Sequence, residues 1–173
     1  LTQSSRAYGT APADLLLAAL SRVLCRFSRR PYVLVELEGH GREALREDVA
    51  LHRTVGWFTS LFPVQLRPIS GQDADALGAS IRAVKEALRG VPNKGLGYGL
   101  LEQLAPPALA ESIARLTRPR VTFNYLGQLD QSFAGTALFS LAGEGSGPAH
   151  AAENPLGNVL SVHTREGRDV KIE

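Results

Sequence analysis

The spacing of apolar and polar residues changes several times along the chain, and each change of period marks an element. In residues 14–27, Leu16, Leu20, Val23, Leu24 and Phe27 recur at helical spacing. This predicts a buried amphipathic helix, with Thr10 as its cap and Pro12 tolerated in its first turn. Pro31 ends that helix, and over residues 32–38 the period falls to two. Val33, Val35 and Leu37 then share one face of a strand, and Leu34, Glu36 and Glu38 share the other. The strand therefore carries Glu38 to its C-terminal end.

A second strand, 64–69, is bracketed by Pro63 and Pro68, which points to a sheet edge or a strand terminus. Leu77, Ile81, Val84 and Leu88 predict a second long helix over 73–88. The glycines at 95, 97 and 99 read as a loop, followed by helical stretches at 100–104 and from 107 to about 116. Residues 121–125 have the β-branched and aromatic content of a strand. Further strands are expected at 139–141 and 159–163, separated by a loop at 143–148, with a turn at 166–167 leading into a last arm at 169–172. Helices interspersed with strands predict an α/β fold, a two-layer sandwich with one mixed sheet and helices on a face.

Composition narrows the function classes. With 173 residues, 44% of them hydrophobic, the chain can form one domain with a real core, burying roughly 70% of its extended surface. Nineteen basic and 17 acidic residues leave a net charge of +2 and no dominant field, so nucleic acid is not an expected partner. Cys25 is the single cysteine, which excludes an internal disulfide framework. No apolar run approaches the length of a membrane span, so no membrane partner is expected and the cytoplasm is the default setting. No cluster of His, Cys, Asp and Glu has metal-ligand spacing, and no metal is expected. The chain contains no methionine, not even at its first position, and reads as a fragment of a longer polypeptide.

Four short motifs follow one another in fixed order: Glu38-Gly39-His40-Gly41-Arg42-Glu43, Arg53-Thr54-Val55-Gly56-Trp57-Phe58-Thr59, Pro92-Asn93-Lys94-Gly95-Leu96-Gly97-Tyr98-Gly99 and Phe123-Asn124-Tyr125-Leu126-Gly127-Gln128-Leu129-Asp130. In this order they resemble the epimerization domains of nonribosomal peptide synthetases, within the condensation-domain superfamily. The similarity runs from about residue 8 to 130 and is weak beyond. The paired-histidine HHxxxDG pattern that the family places earlier is absent, and His40, His52, His150 and His163 all stand alone. The resemblance implies a single C-terminal lobe spanning 1–173, cut at both ends, with a chloramphenicol-acetyltransferase-like fold in which two lobes form a V around a tunnel. Its implied partners are the N-terminal lobe of the same domain and a peptidyl carrier protein. No cofactor of its own is implied, because the substrate rides on the carrier's phosphopantetheine.

Epimerization at an α-carbon removes a proton and returns one to the opposite face, so the site needs acid/base groups and donors near the enolate oxygen. Glu38, fixed at a strand end before a glycine turn, is the candidate acid/base; the bland alternative is a solvated carboxylate or a partner of Arg42. Asn124 and Tyr125 are the other catalytic candidates, Asn124 orienting the thioester carbonyl and Tyr125 donating to the enolate or relaying a proton. Strand alternation sends the two to opposite faces, so only one meets the site squarely. His40 is a candidate substrate contact or a turn residue bonded to backbone, and Arg42 and Glu43 are expected to hold that turn together. Gly97 is a candidate contact to the phosphopantetheine arm; the order of lysine and glycines around it does not fit a nucleotide phosphate loop. Trp57 and Phe58 are expected to pack in the core or within their loop. Phe62 stands where the family often has tyrosine.

The implied activity is L-to-D epimerization of a carrier-bound aminoacyl or peptidyl thioester, with the lobe inactive alone. Peptide-bond formation on the same fold, and a noncatalytic lobe that docks a carrier, are the alternatives.

Overall fold

A computed structural model describes residues 2–43, 49–127, 147–148, 151, 153–154, 157–164 and 171–172. The expected strand at 139–141, the turn at 166–167 and residues 128–130 of the fourth motif lie outside the described residues. The elements run α1 (Thr2–Tyr8), α2 (Pro12–Ser28), β1 (Val33–Gly39), β2 (Ser60–Leu66), α3 (Ala74–Arg89), a short 3-10 turn (Pro92–Gly95), α4 (Leu96–Leu104), α5 (Pro107–Ala114), β3 (Val121–Tyr125), β4 (Leu160–Thr164) and β5 (Lys171–Ile172).

The strands form one sheet in the order β2-β1-β3-β4-β5. It is mixed: β1 runs antiparallel to β2 and parallel to β3, β3 runs parallel to β4, and β4 antiparallel to β5. The parallel β1–β3 pair requires a crossover, which the helical segment between β2 and β3 supplies. Among the described residues β2 is an edge strand, and it begins at Ser60, ahead of Pro63, because a proline lacking its N–H is tolerated where one side of the strand has no ladder to complete.

Alternation divides the sheet into two chemically distinct faces. Val35, Leu37, Phe62, Val64, Leu66, Phe123 and Val162 point to one side and are buried together with Leu15, Leu17 and Ala18 of α2 and Ile81 and Val84 of α3. Each such side chain, taken fully out of water, contributes on the order of 1.5–3 kcal/mol. Register makes the packing continuous: Leu37 lies between Phe62 and Phe123, and Phe123 pairs with Val162. The opposite face carries Leu34, Glu36, Glu38, Thr122 and Asn124.

The helices differ from their sequence-based reading in three ways. Ala11, not Thr10, caps α2: its N–H donates to Asp14 at 2.9 Å, and the Thr10 hydroxyl is buried without a partner among the described residues. The core stripe of α2 is Leu15, Leu17, Ala18 and Ser21, whereas Val23 is 63% and Phe27 87% exposed. The helix has apolar residues around most of its circumference, so periodicity alone does not choose the stripe that meets the sheet. Likewise α3 buries Ala76, Ser80, Ile81 and Val84 and leaves Leu77 nearly half exposed, because the small side chains of Ala76, Gly78 and Ser80 permit closer approach than leucine. Finally, the glycines at 97 and 99 lie inside α4, not in a loop. The irregular backbone comes earlier, at Asn93, Lys94 and Gly95, all with positive φ.

Arg22 joins α2 to α3. Its guanidinium donates to the carbonyls of Ile69 (2.8 Å), Ala76 (3.2 Å) and Gly71, and to the hydroxyl of Ser80 (2.8 Å). Lys85 donates to the Tyr8 carbonyl at 2.7 Å and ties the end of α1 to α3.

Candidate functional site

Glu38 is the penultimate residue of β1 and exposed on the polar face of the sheet. The parallel register that pairs Leu37 with Phe123 puts Asn124 beside it on β3. The Asn124 carboxamide donates to Glu38 Oε2 at 2.5 Å, so a neutral donor, not Arg42, holds the carboxylate. A charge-assisted bond of this kind fixes orientation without neutralising the acceptor. Register continues the row: Asn124 pairs with His163 on β4. One step back along the strands, Glu36 accepts from Thr122 Oγ1 (3.2 Å) and Asn158 Nδ2 (3.3 Å), and Asn158 also bonds Thr122. The polar face thus bears two carboxylates held by uncharged donors, Asn124 and Thr122 from β3 and Asn158 from just ahead of β4.

Tyr125 follows the other parity and packs partly buried against the helix-side core. Of the asparagine–tyrosine pair, Asn124 is therefore the one joined to Glu38.

The turn after β1 is built around glycine and arginine. Gly41 has φ +65°, and a Cβ there would sit 1.4 Å from the Phe58 carbonyl oxygen, so this position excludes any side chain. Arg42 donates to the carbonyls of Leu51 (2.5 Å), Thr54 (2.8 Å) and Gly56 (3.1 Å) and lies 4.4 Å over the Phe58 ring. Both nitrogens of His40 are occupied in the turn: Nδ1 accepts from the Arg42 N–H at 3.0 Å, and Nε2 lies 3.1 Å from Glu43 Oε1. Glu43 in turn pairs with Lys94 at 3.1 Å, which locks the turn to the segment that precedes α4. The first and third motifs thus meet through Glu43 and Lys94, a contact that their separation of about 50 residues hides in the sequence.

Trp57 and Val55 do not pack inside. They are 97% and 98% exposed, because Arg42 holds their loop by its carbonyls and turns these side chains outward; only Phe58 is partly covered.

Gly97 lies on α4 and lines a groove of about 970 Å³ between β2, the end of α3, α4 and α5. The groove walls include Phe62, Val91, Leu100, Leu101 and Leu104, and Glu38 is not among them. Among the described residues nothing lies within 4 Å of the place a Cβ would take at Gly97. Phe62 instead packs against Gly95, where a Cβ would fall 2.1 Å from the ring. Beside Gly97, burial first, and then the charge and hydrogen bond of the Glu102 carboxylate, push the Tyr98 phenol up.

Sequence reasoning missed Glu36, Thr122, Asn158 and His163. The alternation of β1 put Glu36 on the face of Glu38, but only strand register brings the other three beside them. Among the described residues no group of three or more His, Cys, Asp and Glu could hold a metal ion, and no helix is long and apolar enough to cross a membrane.

The whole chain, residues 1–173, matches the family model described as Condensation domain. Tyrocidine synthase 1 of Brevibacillus parabrevis is 39% identical over 166 residues, which are 95% of this chain and 15% of that protein. Bacitracin synthase 3 of Bacillus licheniformis is 39% identical over 160 residues, 90% of this chain and 2% of that protein. The chain thus spans a small part of the length of these relatives. The crystal structure of the epimerization domain from the third module of tyrocidine synthetase B superposes with a TM-score of 0.77 at 35% identity, covering 93% of this chain and 34% of that one. The mixed sheet, the helix-covered face and the match along the full length agree: this chain belongs to the condensation-domain family of nonribosomal peptide synthetases.

Proposed function

We propose that the chain is the C-terminal lobe of an epimerization domain, acting on an aminoacyl or peptidyl thioester carried on the phosphopantetheine of a carrier protein. The observation that carries this reading is the Glu38 carboxylate at the open end of β1, aimed by Asn124 at 2.5 Å and unneutralised by Arg42. Similarity at 35% identity to a solved epimerization domain supports it.

In this reading Glu38 exchanges a proton with the substrate α-carbon, and a group from the N-terminal lobe serves the opposite face. The C–H bond breaks as its electron pair moves into the thioester enolate, and a proton returned from the other side inverts the centre. Asn124 holds Glu38 in line, and the strand end keeps that carboxylate from drifting with a loop. A relay through Tyr125 would need the phenol to reach around from the core side of β3. Peptide-bond formation is the second reading, favoured by the match to the condensation-domain model.

Deuterium wash-in distinguishes them. With a polypeptide holding both lobes and a carrier-bound aminoacyl thioester in D2O, epimerization gives α-deuterium and loss of chirality. Glu38→Gln, which keeps the shape and removes the base, should lower the rate by about 10²–10⁴-fold. Dipeptide product without wash-in would transfer the chain to the condensation reading. Carrier binding with neither product would make it a docking lobe.

A further inference from the structure

The end of the sheet opposite Glu38 holds a second concavity. Its walls come from the C-terminal half of α2, the residues joining α2 to β1, and the segment after β2. Glu38 is five residues along β1 from Val33, so the two regions lie roughly 17 Å apart by strand rise alone. The cavity, about 810 Å³, is lined by Arg22, Arg26, Arg29 and Arg30 among others, and among the described residues no carboxylate lines it. Arg67 stacks on Tyr32 next to its rim.

Arg22 is occupied by the carbonyls and hydroxyl already described. Among the described residues no carboxylate pairs with Arg26, Arg29 or Arg30. Asp73, whose charge Arg22 feels, uses its carboxylate to cap α3. Arg29 takes the left-handed conformation that ends α2, so the backbone there is fixed by its own capping bond to Cys25. The same stretch of α2 presents Val23 and Phe27, bare as noted above, one turn apart and with Arg26 between them.

We propose that this face docks an acidic, amphipathic helical segment of another protein domain, with carboxylates on the guanidiniums and apolar residues on Val23 and Phe27. Charge complementarity selects the occupant: a concentration of unpaired guanidiniums on a chain of net charge +2 attracts a negative surface. The two apolar side chains favour a polypeptide over a bare phosphate, which would leave them in water. Exposed aromatics beside arginine are the residue types that dominate protein interfaces. Because the surface is remote from Glu38, the proposal stands whichever reaction the other end performs.

The test is fluorescence anisotropy of a labelled helical peptide of about four turns, with glutamates along one face and leucines along the adjoining stripe, titrated with the protein. Cys25, the only cysteine, lines the same cavity and reports occupancy by its protection from iodoacetamide in alkaline buffer. Expected are saturable, salt-sensitive binding, slower alkylation of Cys25, and at least an about tenfold loss in the Arg26→Glu, Arg30→Glu double variant. Phe27→Ser should lose several-fold at unchanged salt sensitivity. Circular dichroism of each variant checks that these exposed changes leave the fold intact. The proposal is overturned if the peptide does not saturate, if binding is indifferent to the charge reversal, or if inorganic pyrophosphate, an oligonucleotide or anionic vesicles protect Cys25 equally well.

Discussion

Two glycines with the same standing in the sequence carry opposite demands in the structure. At Gly41 a methyl group meets the Phe58 carbonyl oxygen and the backbone is left-handed. Gly41→Ala should therefore destabilise by at least about 2 kcal/mol, read as a lower urea midpoint. Gly97 has helical backbone and empty space where its Cβ would be, so Gly97→Ala should stabilise by about 0.5–1 kcal/mol. If the groove beside Gly97 holds the pantetheine arm, the same variant raises KM; unchanged KM removes Gly97 from the substrate path. Glu38 was legible because alternation and a following glycine put it at a strand end. Its partner Asn124 is 86 residues away, and no local pattern announces that pairing.

At the scale of elements, helix capping gives a clean pH test. Asp73 accepts the Ala76 N–H at 2.7 Å, and this backbone bond holds its carboxyl below the usual value of 3.8. A depressed carboxyl contributes stability that is present above its unfolded pKa and is lost as pH falls through the folded one. Asp73→Ala should accordingly lower Tm at neutral pH, and the gap to the parent protein should close in acid, at pH values under 3.8. A gap that persists there would mean the side chain acts by something other than its charge. Element type was largely readable: β1, β3, α2 and α3 lie where periodicity put them. The stripe each helix buries was not. Both α2 and α3 carry more apolar positions than one contact can use, and small residues won the contact because they let the helix axes come close. The 97–99 glycines were misread since glycine content signals a loop, whereas here the irregular backbone is confined to residues 93–95.

For the whole molecule, Arg22 is the test of how the layers are joined. It binds α2 to α3 and to the segment after β2 through three carbonyls and Ser80. Arg22→Ala strips several charge-assisted bonds at once and should cost about 2–3 kcal/mol, with Arg22→Lys recovering only part because one ammonium cannot serve diverging acceptors. Leu66→Ala, at a fully buried edge of the sheet core, should cost about 2–5 kcal/mol by opening a cavity. Either change read as a two-state urea transition measures the cohesion of the described core. Sequence by itself determined the α/β class, the two faces of β1, the strand end at Glu38 and the family, because these rest on periodicity and on contiguous motifs. Tertiary structure alone decided that Asn124 holds Glu38, that Thr122 and Asn158 hold Glu36, that Lys94 reaches Glu43, and that Arg22 of α2 reaches the carbonyls of Ile69 and Gly71 after β2. Those relations join strands and loops distant along the chain, and they are set by sheet register and by the backbone carbonyls that arginine finds, neither of which has a local signature.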